Sequence, residues 1–571
     1  MKKRVIIAFV ILSPFVFAEV SLRDTTIQWS TFDYELNQDN TLKWTTSDAE
    51  DTVTKKFSGQ VLENEYLKVT LLPEYGGRIL SMVYKPTGHE QLYRNPVGNP
   101  YGQGDGNFYY DWLMVYGGIF PTLPEPEHGK AWLLPWEYEV IKNTPDTVKI
   151  SMSWQDTVGL GEVAKFGYGK TNLKCDFEVK LVKGESALST DITVKNVQGQ
   201  NIDYEYWTCL TLAPGSSPSN PKTKGNTKMI MPYSKIEIKP WWNLQSVEEP
   251  INKNDNIYEF ENLKYYKNWV TDGIIYPRKE INKNFWGAIN QNNKEGIIRV
   301  ANNKITPGIK IWGWNYSESQ DIKPAKNPDL AKRPYLELWA GHSNEFFQSA
   351  SIQANSKINW QEIYIPSKGL AEVNKASQDI VANYYLDKKS KEGVLKFVTT
   401  YPERDQQIIF KENQQEIKRS TISAKTSVNK VLAKLPMGDS WSEGDSLYCL
   451  IKDSEGHKYF QAALSLNNVS TVGVTKRGKA DQDYSLSQNY PNPFNSSTTI
   501  SYNLKHRSKV DITIFDLQGR KIKQLEHSVY SRGKHSVEWR PSVSSGIYYY
   551  RIHAKSEKKH YTETKKLVYL K

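Results

Sequence analysis

Residues 176–197 read DFEVKLVKGESALSTDITVKNV, and this stretch decides the fold class. Two runs of alternating apolar and polar residues are joined through KGES, which predicts two antiparallel strands connected by a hairpin or by a turn between sheets. Short runs rich in Val, Ile, Tyr, Thr and Trp, broken at Gly, Pro, Asn or Asp, recur along the whole chain. No long apolar pattern with a period of 3.6 residues follows the N-terminus. The sequence therefore predicts an all-β protein.

The chain has 571 residues, which is enough for about three domains. Thirteen of its 17 tryptophans lie between Trp112 and Trp360, which marks one large domain with rings available for stacking on sugars. We predict a signal peptide (1–18), an N-terminal β extension (19–54), a large β-sandwich (55–370), a small β-sandwich (371–475), a linker (476–483) and a C-terminal domain (484–571).

The N-terminus has the pattern of a secretory signal peptide. Lys2, Lys3 and Arg4 precede an apolar run over 5–17, and small residues precede Glu19 at the expected cleavage site. The apolar run is shorter than the roughly 20 residues that cross a bilayer, and no later segment is comparably apolar. We therefore predict a secreted protein without a transmembrane segment in the mature chain.

The net charge of +11 is unevenly distributed. Residues 485–571 hold 16 Lys or Arg against 6 Asp or Glu, which gives +10, and the signal peptide adds +3, so the rest carries 11 − 10 − 3 = −2. Because the excess is confined to one terminal domain, we predict no nucleic-acid function. The three cysteines have no CxxC spacing, and the nine histidines form no HxH or HExxH pair. We predict neither a metal site nor a cofactor.

A histidine lies among carboxylates and aromatic residues in the segment 117–140, GGIFPTLPEPEHGKAWLLPWEYEV. His128 can titrate near neutral pH beside Glu125, Glu127 and Glu137, as a sugar site requires. His-Gly followed by a Pro-Trp-Glu strand resembles the aldose epimerases of the galactose mutarotase superfamily. The resemblance implies that His128 contacts the ring oxygen of a sugar, with Glu127 as a further substrate contact.

Further segments extend this resemblance over residues 62 to about 370, and specifically to a bacterial family of unknown function within the superfamily. It implies a mutarotase-like β-sandwich, or supersandwich. Strand patterns such as VLKFVTT and SLYCLIKD, and the alternating Ile and Tyr of the C-terminal domain, predict two smaller Ig-like β-sandwiches after it. In the segment 62–95, Arg78 follows Gly76 and Gly77, and either approaches the sugar or fixes a turn. In YEYWTCLTLAPG (204–215), Trp207 is either a stacking platform or a core residue.

The segment PGIKIWGWN (307–315) places Lys310, Trp312 and Trp314 in strict alternation, hence on one face of a strand. Lys310 and Trp312 are predicted sugar contacts, and a purely structural cation–π contact of Lys310 is the alternative.

The best catalytic candidate lies in YLELWAGHSNEFFQ (335–348). Glu337 stands between two leucines on an apparent strand, with Trp339 on the same face, and desolvation there favours proton transfer. By resemblance Glu337 is the general base. The Trp-x-Glu pattern that follows supplies Glu362 as a second carboxylate, and a salt-bridged structural residue is the alternative for Glu337.

One departure leaves the reaction open. Epimerases of this superfamily carry a second histidine where this chain has Tyr206, Trp207 and Thr208. We therefore predict a secreted carbohydrate-active protein with epimerase-like chemistry, and keep two alternatives: an enzyme that cleaves polysaccharide as a hydrolase or lyase, and a non-catalytic glycan-binding protein at the cell surface.

The C-terminal domain opens with DYSLSQNYPNPFNSSTTISYNL (483–504), continues through IFDLQGRKI and GIYYYRI, and ends in KKLVYLK. The prolines favour extended or turn geometry before the first strand. These segments resemble the C-terminal sorting domain of the type IX secretion system. The resemblance implies a Gram-negative bacterium, export by the type IX machinery, and release or attachment at the surface; an ordinary Ig-like domain is the alternative.

Overall fold

The computed structural model describes residues 19–570 except 39, 41, 46–51, 99–116, 125–128, 160–169, 232, 239–256, 270–272, 278–282, 315–334, 347, 388, 403, 414, 425–430, 437–444, 466–483, 487–488, 490–491, 493, 505, 517–519, 532 and 557–559. Two compact units are present, Met1–Val469 and Ser470–Lys571. Among the residues that the structure describes, no helix is long and apolar enough to cross a membrane.

The large sandwich contains 24 strands in the described residues, and α1 (Phe260–Leu263) and a 3-10 turn (Tyr266–Asn268) are short. The strands are β1 (Ser21–Phe32), β2 (Tyr34–Leu36), β3 (Leu42–Thr45), β4 (Thr52–Glu63), β5 (Leu67–Leu72), β6 (Arg78–Tyr84), β7 (His89–Leu92), β8 (Ile119–Thr122), β9 (Glu137–Thr144), β10 (Thr147–Gln155), β11 (Lys174–Val182), β12 (Leu188–Lys195), β13 (Ile202–Tyr204), β14 (Trp207–Ser216), β15 (Thr227–Ile230), β16 (Lys235–Ile238), β17 (Ile257–Glu259), β18 (Gly273–Pro277), β19 (Phe285–Asn290), β20 (Glu295–Ala301), β21 (Gly308–Trp314), β22 (Tyr335–Gly341), β23 (Ala350–Ile352) and β24 (Lys357–Lys368).

Two antiparallel sheets form this sandwich, and the other four strands make the two-stranded sheets β2-β3 and β13-β23. The twelve-stranded sheet has the order β1-β4-β5-β6-β7-β14-β22-β21-β18-β16-β17, with β8 against β14 and β6, and the eight-stranded sheet has the order β15-β19-β20-β24-β12-β11-β10-β9. Alternate side chains of both sheets meet in one apolar core, for example Leu210 and Leu338 from the first sheet and Ile192 from the second. The β11–β12 pair is the hairpin that 176–197 predicts.

The small sandwich is formed by β25 (Lys375–Ala376), β26 (Ile380–Asp387), β27 (Glu392–Thr399), β28 (Arg404–Glu412), β29 (Gln415–Ala424), β30 (Val431–Pro436), β31 (Ser446–Lys452) and β32 (Lys458–Ser465). Its two four-stranded sheets enclose a core of their own. A further cluster joins Ile298 and Ile363 of the large sandwich to Val381 and Val398 of the small one. The small sandwich is therefore packed onto the large one through buried apolar residues.

The C-terminal unit contains β33 (Ser485–Leu486), β34 (Thr498–Leu504), β35 (Ser508–Phe515), β36 (Lys521–Tyr530), β37 (Gly533–Trp539), β38 (Gly546–Lys555) and β39 (His560–Tyr569). A three-stranded and a four-stranded sheet pack around one core. The predicted all-β class, with one large sandwich followed by two smaller ones, is confirmed. The segment 19–54, predicted as an extension, contributes β1 to the edge of the large sheet through its pairing with β4.

Candidate functional site

Five of the predicted site residues lie on the outer face of the twelve-stranded sheet, which points away from the core between the sheets. Strands β14, β22 and β21 are neighbours in this sheet, and their intervening residues, such as Ile311 and Leu338, fill that core. The register places Trp339 opposite both Cys209 and Lys310, and Glu337 opposite Trp312. We call these five residues, together with Cys209, the outer-face cluster: Trp207, Cys209, Lys310, Trp312, Glu337 and Trp339.

The Glu337 carboxylate is buried, with 5% of the residue exposed. The Tyr335 hydroxyl donates a hydrogen bond to its Oε1 at 2.7 Å, and the Trp339 Nε1 donates to its Oε2 at 3.0 Å. No Lys, Arg or His among the described residues forms an ion pair with it. A carboxylate can accept about four hydrogen bonds, and burial without a paired cation is costly. Such a group is a candidate functional residue.

Glu362 has similar neighbours in sequence but a different environment. It lies on β24 and points between the sheets, where Arg299 binds it through Nη2 at 2.6 Å and Nε at 2.9 Å. Trp360, Tyr364 and Thr208 also donate to it. Burial opposes ionisation, but the Arg299 charge and these hydrogen bonds outweigh it and lower the pKa of Glu362. The structure therefore does not bring Glu362, the predicted second carboxylate, to the outer-face cluster.

Lys310 is completely buried in an aromatic cage. Its Nζ lies 4.0 Å from the ring centre of Trp207 and 4.2 Å from that of Trp339, and it also contacts the ring of Phe346. The cation–π alternative is thus observed. Because Trp339 donates through its N–H edge to Glu337 and faces Lys310 with its ring, one indole is in contact with both charged side chains.

Arg78 holds a turn. Its guanidinium donates to the carbonyl oxygens of Tyr75 at 2.8 Å, Gly117 at 2.9 Å and Trp132 at 3.1 Å. Burial lowers the pKa of Arg78 to about 10. Gly76 precedes it at φ +81, and a Cβ there would lie 2.2 Å from the Trp132 oxygen, so only glycine fits. These contacts fix the turn that the structural alternative describes, and the sugar contact of Arg78 stays a prediction.

His128, Glu127 and Glu125 lie outside the described residues, so their predicted roles remain predictions. The chain on either side of them is fixed. The Glu205 amide donates to the Pro124 oxygen at 2.7 Å, and the Lys130 amide donates to the Leu123 oxygen at 3.0 Å. Buried Lys130 also pairs with Asp156 at 3.4 Å.

His342 received no role from its sequence, yet it lies in the polar network between the sheets. The Tyr204 hydroxyl is 2.6 Å from its Nδ1, and the rings of Tyr206 and Trp360 pack against it at 5.0 and 4.5 Å. Burial lowers the pKa of His342 to about 4. The only sequence signal is its position directly after the strand that carries Glu337, which does not reveal that its ring turns into the core.

We expect acid to weaken the fold through His342. The unfolded chain binds a proton at this residue below its ordinary pKa of about 6.5, whereas the folded chain does so only near 4. Stability is therefore complete above pH 6.5 and falls as the pH drops toward 4, by up to roughly 3 kcal/mol. Urea unfolding at pH 7, 5.5 and 4.5 measures this loss. His342→Asn does not titrate, so equal pH slopes in the variant and the native protein would contradict the assignment.

Among the described residues, no group of three His, Cys, Asp or Glu side chains could hold a metal ion. All three cysteines are buried and free. Burial raises the pKa of the Cys209 thiol, Glu337 raises it further, and Lys310 and Arg78 oppose this. This environment disfavours the thiolate form of Cys209 within the outer-face cluster.

Comparison with known families gives two matches. Residues 43–367 match a family described as a domain of unknown function, DUF5107. Residues 488–569 match the secretion system C-terminal sorting domain.

Solved structures with a similar fold include a TPR-domain containing protein from Parabacteroides distasonis, at 17% identity and a TM-score of 0.48 over 63% of this chain. This chain spans 58% of that protein. A galactose mutarotase-like protein from Clostridium acetobutylicum is 11% identical, with a TM-score of 0.37 over 55% of this chain and 96% of its own. A galactose mutarotase related enzyme from Lactobacillus acidophilus is 12% identical, with a TM-score of 0.34 over 56% and 100% of the two chains.

Proposed function

The chain belongs to the DUF5107 family, and from that premise we propose that it is a carbohydrate-active protein that binds a saccharide at the outer-face cluster. The sorting domain makes it a secreted or surface-attached protein of the type IX pathway. The observation that carries the proposal is the Glu337 carboxylate, which is buried among aromatic rings without an ion pair to a described residue. A protein that needed this face only for packing would have no use for such a charge.

In this proposal Glu337 is the general base and takes the proton from the anomeric hydroxyl of the sugar. His128, with Glu127 beside it, donates a proton to the ring oxygen, so the ring opens and recloses on the other face. Trp207 and Trp312, which are 0% and 3% exposed in this structure, form the apolar wall of the proposed site. Trp339 has a double role, because its N–H orients Glu337 while its ring faces Lys310. Arg78 acts from behind the site, by fixing the segment that leads to His128.

A binding function without chemistry is the second candidate, and one observation favours it. Tyr206, directly before β14, and Thr208 on β14 point into the core, where Thr208 donates a hydrogen bond to Glu362. Trp207, which stands where the epimerases carry their second histidine, therefore lies on the outer face, and a tryptophan stacks on sugars but transfers no proton. Polysaccharide cleavage is the remaining alternative. Its carboxylate pair would be Glu337 with Glu125 or Glu127, which lie outside the described residues, because Glu362 lies between the sheets.

The test is a screen of the full chain against plant and marine polysaccharides and simple aldoses. It records retention on the immobilised glycan, release of reducing ends, ultraviolet absorbance of unsaturated uronates and anomer interconversion by polarimetry. Turnover of any sugar supports the enzyme, and retention without product supports the binding protein. Neither retention nor product with any glycan would contradict the carbohydrate proposal.

A further inference from the structure

Strand β9 is an edge of the eight-stranded sheet; beside it, the Gln60 Nε2 donates a hydrogen bond to the Tyr138 hydroxyl at 3.3 Å. In the described chain it pairs only with β10, and seven of its eight residues are exposed. An edge strand presents unpaired N–H and C=O groups, which are a template for another strand unless they are covered.

The opposite edge of the same sheet is protected. All four residues of β15 are buried. The segment after α1 lies against them, with the Met229 amide donating to the Lys264 oxygen at 2.7 Å and Lys228 bridging to Tyr265. The fold thus covers one edge of this sheet and leaves β9 open.

The open edge is also apolar. Tyr138, Val140 and Ile141 are 48, 43 and 46% exposed, so three of the ten exposed large hydrophobic residues in the described part of the chain fall within four positions. Single exposed apolar residues are ordinary, but a contiguous group on a free strand edge is typical of an interface.

A β-bulge makes β9 self-complementary. Tyr138, Val140 and Asn143 lie opposite the buried residues of β10, whereas Glu137, Glu139, Lys142 and Thr144 lie opposite its outward residues, and Ile141 is the extra residue between them. When a second β9 is laid antiparallel with Glu139 opposite Lys142, the three outer pairs on each side of the centre each join residues of the same face. At the centre Val140 lies opposite the bulge residue Ile141.

We propose that two copies of this chain pair through β9 in an antiparallel arrangement about a twofold axis. Glu139 of each copy then lies opposite Lys142 of the other, Tyr138 lies opposite Asn143, and Val140 meets Ile141 at the centre. Opposite charges directly across an antiparallel pair are favourable, and the twofold axis repeats each contact. A shift by one residue would bring opposite faces together, so the bulge and the charges select this register.

The interface is small. Stable complexes bury roughly 1,200–2,000 Å² in total, and one strand of eight residues in each copy supplies less. We therefore expect a reversible dimer that dissociates in the micromolar range, independent of any sugar.

The experiment is sedimentation velocity of the full chain from about 1 to about 100 µM, the range in which a small interface associates. Glu139→Lys and Lys142→Glu each place like charges opposite one another twice, and should raise the dimer dissociation constant roughly tenfold or more. The double variant Glu139→Lys/Lys142→Glu restores both pairs and should restore the dimer.

Ile141→Lys should give a monomer at every concentration. Because these residues are exposed, unchanged melting temperatures control for folding. A native protein that stays monomeric up to 100 µM would overturn the proposal, and so would a dimer that resists the single charge changes or is not restored by the double variant.

Discussion

Turnover of the saccharide is expected to fall roughly 10²–10⁴-fold when Glu337 is replaced by Gln, because the amide cannot accept the proton from the anomeric hydroxyl. The amide keeps the size of the carboxylate, and its oxygen still accepts a hydrogen bond from Tyr335 or Trp339. The fold should therefore persist. The measurement is kcat for whichever sugar the screen identifies, together with the melting temperature.

Glu178→Gln is the matched control for this variant. Glu178 lies on the eight-stranded sheet, is partly exposed and pairs with Lys149 at 2.6 Å, so the same chemical change there should leave kcat unaltered. Equal kcat in the native protein and the Glu337→Gln variant would remove Glu337 from the mechanism. If retention on the glycan survives and no product forms even with the native protein, the binding function replaces the enzymatic one.

The free energy of unfolding is expected to drop by roughly 3–5 kcal/mol when Glu362 is replaced by Gln, because Arg299 would remain buried without its counter-charge. Both side chains are completely inaccessible to solvent. Urea denaturation at pH 7 measures the loss. A drop below about 1 kcal/mol would show that the pair stabilises little and would return Glu362 to the list of functional candidates.

A double variant distinguishes the contribution of the Arg299–Glu362 ion pair to stability from that of the neighbouring hydrogen-bond donors. Glu362→Leu with Arg299→Met removes both charges and leaves apolar groups of similar volume, so it should recover most of the stability that Glu362→Gln loses. No recovery would mean that Thr208, Trp360 and Tyr364, left without their acceptor, account for the cost.

Local patterns in the sequence were sufficient to predict the strands and to predict which side chains share one face of a strand. Alternation in KIWGW and YLELWAG predicts that Lys310 and Trp312, and Glu337 and Trp339, share a face, and the structure has both pairs on the outer face of the large sheet. That prediction needs only the period of two, which is a property of any strand.

The difference between the two glutamates could not be read from sequence. Glu337 lies between Tyr335 and Trp339 at alternate positions, and Glu362 lies between Trp360 and Tyr364 in the same way. What distinguishes them is Arg299, which reaches Glu362 from the neighbouring strand β20. Such a partner is set by sheet order, and sheet order depends on pairings between distant segments.

Two further features, the role of Arg78 and the contact between the two sandwiches, also depend on residues that are distant in sequence. The role of Arg78 depends on carbonyl oxygens 39 and 54 positions away, which no local pattern records. The boundary near residue 370 separates two sandwiches by sequence, yet Ile363 and Val381 on either side of it belong to one buried cluster. Composition marks where a core begins but not whether two cores touch.

The pairing of β12 with β24 has a consequence for biosynthesis. Ile192 lies opposite Trp360, so the eight-stranded sheet cannot close until the ribosome has added nearly the whole large domain. At roughly 5–20 residues per second, the strand waits about 10–30 s for its neighbour. During that interval an apolar strand edge is open, and because contacts so distant in sequence form slowly, chaperones that hold the nascent chain have both the time and the surface to bind it.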